Sequence, residues 1–172
     1  MKNKVILISI DGMRPDGFLK CGHPFVGSMM EQFSYTLTGR SMDPPVTLPC
    51  HMSMFYGVPP VRHGILTNTY TAPVRPVNGI GELLAASGKC GAASEEYHIL
   101  VTADHGGHGR SHGVNCPEDM TIPMFFWGKP FKGGKEMGDL SLLDLAPTIA
   151  SILGLAPSRE WEHASRSIMD RM

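Results

Sequence analysis

Apolar residues gather along this chain in short runs, and their spacing sorts them into strands and helices. VILISI, residues 5–10, is β-rich and apolar on both parities, which predicts a strand buried on both faces of a parallel sheet. YHILVTA, 97–103, repeats the pattern, and TIPMFFWG, 121–128, predicts a third strand. Helical spacing begins near Leu48 or Pro49, with Thr47 at or beside the N-cap. It recurs in GIGELLAAS, 79–87, which stops at Gly88. The clearest helix is SLLDLAPTIASILG, with apolar residues at Leu142, Leu145, Ile149, Ile152 and Leu153 and a stop at Gly154. Pro147 weakens its first turns or restarts it. Strands alternating with helices predict an α/β fold with a mostly parallel central sheet flanked by helices. Between Leu66 and Tyr97 the chain supplies one modest helix and no strong strand, which is thin for the middle of such a domain.

The 172 residues suit a single domain, 1–172, with a real hydrophobic core. Twenty glycines and 14 prolines cluster between the predicted elements, so the working loops are long. Fifteen basic residues balance 16 acidic ones without forming a stripe, which argues against a nucleic acid polymer as partner. Cys21, Cys50, Cys90 and Cys116 are widely spaced and form no CxxC. The apolar run before Asp11 is too short for a secretory signal, and nothing downstream reaches membrane-span length. The expectation is a cytoplasmic protein.

Two predicted strands end directly in an aspartate, Asp11 and Asp104. Ligands of open α/β sheets sit beyond the carboxyl ends of strands, so these two carboxylates can converge. His105 follows Asp104, and Gly106, Gly107 and Gly109 let the loop approach closely. Carboxylate oxygen and imidazole nitrogen together suit a divalent ion such as zinc. His108 and His112 follow. One is expected to ligate or bind substrate and the other to be a bystander, with the weight on His112. Arg110 reads as solvated. Thr47 places a hydroxyl at a helix start, where free N–H groups favour an anion. Beside a metal, that hydroxyl can lose its proton and attack phosphorus. Adjacent Cys50 and His51 do not make a nucleophile–base pair. Cys50 reads as buried and inert, His51 as packed or supporting, and Met52 and Met54 as core. His23, His63, His98 and His163 read as surface or packing residues.

With these residues in hand, ILISIDGMRPD, PPVTLPCHMSMFYGVPPVRHGI, HILVTADHGGHGRSHG and SLLDLAPTIASILGL resemble, in the right order, the type I phosphodiesterase/nucleotide pyrophosphatase group of the alkaline phosphatase superfamily. The resemblance implies an alkaline-phosphatase-like core and a hydrolase of phosphate diesters or monoesters acting on a small phosphorylated substrate. It implies two divalent metals, typically Zn2+, and a threonine or serine nucleophile that forms a covalent phospho-enzyme. By position Thr47 corresponds to the nucleophile, Asp11, Thr47, Asp104 and His105 to the ligands of its metal, and His112 to a ligand of the other.

Two departures stand out. The nucleotide pyrophosphatase members usually carry an asparagine three residues after the nucleophile, where this chain has Cys50, a poorer hydrogen-bond donor. The family also supplies D-x-x-x-H between the nucleophile and the DHG strand, whereas no aspartate lies between Asp43 and Asp104 here. The abrupt junction SGKCGAASEEYHIL points to an internally shortened core, with a segment missing near 88–96. One metal then keeps its ligands and the other has little beyond His112. The alternatives are a catalytically impaired metal-binding domain prone to self-association, or a phosphomutase or phosphonate hydrolase of the same superfamily. A sulfatase fails on its C/S-x-P-x-R motif, because Cys50 is followed by HMSM.

Overall fold

The computed structural model describes residues 3–73, 76–88, 96–164 and 166–171. Four strands, β1 (Asn3–Ser9), β2 (Ser34–Arg40), β3 (Glu96–Thr102) and β4 (Thr121–Trp127), form one sheet in the order β1-β3-β4-β2. The described helices are α1 (Pro15–Lys20), α2 (Pro24–Gln32), α3 (Thr47–Tyr56), α4 (Pro60–His63), α5 (Ile80–Ala86), α6 (Pro117–Met120) and α7 (Leu145–Ile152). The junction expected near 88–96 lies largely outside the described residues, as does Cys90.

The α/β reading holds, with one refinement. β1 pairs parallel with β3, while β4 runs antiparallel to both β3 and β2. Three strands therefore point one way and β4 the other. The cause is the β3–β4 connection, whose only helix is the four-residue α6. A parallel crossover needs a longer link that carries the chain back over the sheet.

Period-2 alternation divides the core between two faces. Leu100, Met124 and Phe126 pack with residues of α3, α5 and α7, including Met54, Ile80, Leu145 and Ile149. Val101 and Phe125 face the other way, onto Phe18 of α1, Met29 of α2 and Phe33. Phe125 is fully buried, with its ring 4.5 Å from that of Phe18. Truncating such an aromatic to alanine costs about 3–5 kcal/mol.

β1 departs from expectation. Among the described residues it is an edge strand, and Ile6, Ile8 and Ile10 are 42%, 42% and 44% exposed. α1 and α2 cover β4 and its neighbours and stop short of this edge. An apolar run reports what a strand is made of, not where in the sheet it lies. Around Pro147 the expected interruption occurs. Leu142–Asp144 form a 3₁₀ turn capped by Ser141, and the α-helix starts at Leu145. Proline lacks an N–H and crowds the carbonyl one turn earlier, so the preceding residues wind more tightly.

Candidate functional site

β1 and β3 lie side by side with Ser9 opposite Thr102, so the residues just beyond them emerge together. The backbone N–H of Gly12 donates to Asp104 Oδ1 at 3.1 Å, and Gly12 takes the left-handed conformation at φ 66°. The His105 N–H donates to the same oxygen at 2.9 Å. Ser41 Oγ donates to the Asp104 carbonyl. Asp104 is therefore fully buried and held from three sides. Its other oxygen, Oδ2, is buried and accepts no hydrogen bond among the described residues. A lone carboxylate oxygen in that state costs about 1–3 kcal/mol unless something positive meets it.

What surrounds Oδ2 explains its orientation. His105 Nε2 lies 3.4 Å from it and 3.5 Å from Asp11 Oδ1. His105 Nδ1 is 2.7 Å from the Gly106 carbonyl, which can only accept. A neutral His105 ring therefore carries its proton on Nδ1 and presents the Nε2 lone pair to the cluster. Thr47 Oγ1 stands 3.2 Å from that nitrogen and 3.3 Å from Asp11 Oδ2. Asp11, Asp104 and His105 form one donor group with every ligand atom within 4.8 Å of the others. An orphaned carboxylate oxygen, a lone-pair imidazole and a second carboxylate around a hydroxyl fit a divalent cation, with Asp11, Thr47, Asp104 and His105 to hold it.

The chain positions Thr47 at the first residue of α3, with Val46 as N-cap. The Leu48 N–H is capped from a distance by Asn68 Oδ1 at 2.9 Å. His51, one turn on, is 2.9 Å from the Thr47 carbonyl through Nδ1 and 3.8 Å from Asp104 Oδ2, which makes it a supporting residue. Cys50 faces the core, fully buried, and desolvation pushes its thiol above the ordinary range. It touches Ser41 at 3.3 Å and is buried, as expected.

The DHG loop is clamped on both sides. Arg14 donates from Nη1 to the Gly107 carbonyl at 2.7 Å, while Asp16 grips its Nε at 2.8 Å and its Nη2 at 3.1 Å. Gly106 and Gly107 donate to the carbonyls of Asp119 and Glu118. A Cβ on Gly106 would stand 2.0 Å from the Glu118 oxygen, so only glycine fits. His112 is exposed, and its ring stacks on His105 with centroids 4.0 Å apart. It sits beside the donor group rather than within it. His108 is no bystander, because its Nδ1 pairs with the buried Asp119 at 2.7 Å. Burial alone would raise the Asp119 carboxyl, but hydrogen bonds from His108 and the Val114 N–H outweigh it and hold it below its usual value.

His63 and His98 are buried packing residues. His23 caps α2 by accepting from the Phe25 N–H. His163 binds Asp144 at 2.7 Å. Ser41, Asn68 and Asp119 belong to no motif in the sequence. Arg14 carries a faint signal, two residues after the Asp11–Gly12 turn.

A sheet with helices on both faces and a strand-end donor group around a helix-start hydroxyl is the alkaline-phosphatase-like architecture. A solved 2-O GAG sulfatase shares it at a TM-score of 0.71 and 10% identity, over 94% of this chain and 72% of that one. Residues 5–80 match the family model described as type I phosphodiesterase / nucleotide pyrophosphatase. No curated protein matches the sequence. No described helix is long and apolar enough to cross a membrane.

Proposed function

We propose that this chain hydrolyses phosphate diesters or monoesters of small molecules through Thr47, with a divalent metal, most suitably Zn2+, held by Asp11, Thr47, Asp104 and His105. The observation that carries the reading is the buried, unpartnered Asp104 Oδ2 beside the His105 Nε2 lone pair, with the Thr47 hydroxyl 3.2 Å from that nitrogen. A bound ion would supply Lewis acidity, lowering the hydroxyl's pKa and neutralising charge on the phosphoryl oxygens.

The chain's own residues do the rest. Thr47 Oγ1 attacks phosphorus, its proton leaving toward Asp11 Oδ2 at 3.3 Å. The Oγ1–P bond forms as the ester P–O bond breaks, and the departing oxygen takes a proton from solvent. Water then adds to phosphorus and Oγ1 leaves, restoring the hydroxyl. The start of α3 turns its positive end toward the incoming anion. His112, stacked on His105, would meet the phosphoryl group or a second ion. The C/S-x-P-x-R motif is absent, so the sulfatase likeness extends to the fold alone.

The test is turnover of bis-p-nitrophenyl phosphate and p-nitrophenyl phosphate by the zinc-loaded chain and by Thr47→Ala. Expected is a loss of at least about 10³-fold in kcat with zinc binding retained. Undiminished turnover in Thr47→Ala would remove Thr47 from its role. The ratio of the two substrates separates diesterase from monoesterase.

A further inference from the structure

A second donor group lies in the same β3–β4 connection and shares no residue with the first. His108 Nδ1 is 2.7 Å from Asp119 Oδ1, and Cys116 Sγ is 4.0 Å from that nitrogen. The ligand atoms of all three residues lie within 4.8 Å of one another. A buried carboxylate satisfied by an imidazole needs no thiol, yet one converges on the same point.

We infer that His108, Cys116 and Asp119 form a separate metal site for a thiophilic divalent ion such as zinc, which locks the loop that presents His112. A tetrahedral zinc with ligands at about 2.0–2.3 Å keeps its donors roughly 3.3–3.8 Å apart. The 2.7 Å pair must open by about 0.6 Å, and the thiol already stands near its place. Three protein donors leave a fourth position for water. Thiolate with imidazole selects zinc or cobalt over magnesium or calcium, unlike the oxygen-rich group at Thr47.

The frame for this site exists before any ion arrives. Asp119 is fully buried, and its Oδ2 accepts the Val114 N–H at 2.9 Å, which fixes the carboxylate's orientation. His108 and Ser111 exchange two backbone hydrogen bonds of 2.9 Å, and the Cys116 carbonyl accepts from the Asp119 N–H at 3.2 Å. Cys116 borders a cleft of about 640 Å3, shared with Arg40 and His163, through which an ion can enter. On binding, the Cys116 thiol proton goes to solvent. The proton between His108 and Asp119 moves to Nε2 of the part-exposed ring, freeing Nδ1. The ion then ties position 108 to 116 and 119, closing the loop that stacks His112 on His105.

Cobalt(II) titration of the full, reduced, metal-free chain tests this, because a thiolate ligand gives a near-ultraviolet charge-transfer band. The band is expected in the unaltered chain and in Asp104→Asn. It should be lost in both Cys116→Ser and Cys116→Ala, and cobalt binding should weaken at least tenfold in His108→Ala. Absence of the band, its survival in both Cys116 variants, or its loss in Asp104→Asn would overturn the proposal. Should the Cys116 variants not fold, peptide-mapped alkylation of the unaltered chain decides. Zinc should slow modification of Cys116 at least tenfold, and equal rates overturn the site. Because Thr47 is not involved, failure here leaves the hydrolase reading standing.

Discussion

Replacing Asp104 by asparagine should separate two roles that one carboxylate combines. The side chain is fully buried, and Oδ1 accepts from Gly12 and His105 while Oδ2 accepts nothing. An asparagine oriented with its oxygen at Oδ1 keeps both backbone bonds. Its NH2 then occupies the Oδ2 position, 3.4 Å from the His105 lone pair. The metal-free variant thus sheds a buried, unpartnered oxygen, relieving up to about 1–3 kcal/mol. Under the proposed function the same change removes an anionic ligand, so the metal-linked stabilisation should collapse. At a zinc concentration of about 100 times Kd, the parent chain gains about 2.7 kcal/mol on binding. For a chain of this length that raises Tm by about 5–11 °C. A variant bound about 100-fold more weakly gains about 0.4 kcal/mol, or roughly 1 °C. Differential scanning calorimetry with and without zinc measures both effects, in a Cys116→Ser background so that the other donor group contributes nothing. Metal-free Asp104→Asn should melt at or above its parent. A lower Tm together with an undiminished zinc shift would refute both the orphaned-oxygen argument and the ligand assignment.

Further tests bear on particular residues. Gly106→Ala sets a methyl against the Glu118 oxygen and should cost about 3 kcal/mol, lowering Tm by about 6–12 °C; a change within about 1 °C would contradict the packing. His63 is buried, with Nε2 3.0 Å from Ser53 Oγ, and desolvation lowers its pKa below the ordinary 6.5. The unfolded chain therefore binds more proton just below pH 6.5, so stability is full above that pH and falls as pH drops toward the folded value. Denaturant titrations from about pH 7.5 to 5 should show that loss, and His63→Gln should flatten it. Iodoacetamide should modify exposed Cys21 in the native chain and leave Cys50 untouched until unfolding, as peptide mapping can report.

β1, β3 and β4 were legible in the sequence because short apolar runs rich in β-branched and aromatic residues favour strands. α5 and α7 followed from their period and their glycine stops. α1 and α2 escaped notice because they are short and start at Pro15 and Pro24 after extended residues, so proline marked their beginning but no apolar period followed. β2 hides for another reason. Its inward positions include Ser34 and Thr36, and Gly39 sits where a Cβ would meet the Ile122 oxygen at 2.8 Å. The convergence of Asp11, Thr47, Asp104 and His105 was legible from their strand-end and helix-start positions. Their supports Ser41, Asn68 and Asp119 were not, since each acts through a backbone partner that only folding brings near.

The parallel pairing of residues 3–9 with 96–102 also makes the donor group an all-or-none object. Asp11 arrives on one strand, Asp104 and His105 on the other, across more than half the chain. Any excursion that parts those two strands scatters the ligands, and any ion that draws the ligands together resists the parting. A bound ion would therefore tie residues far apart in sequence across the two strands that carry them.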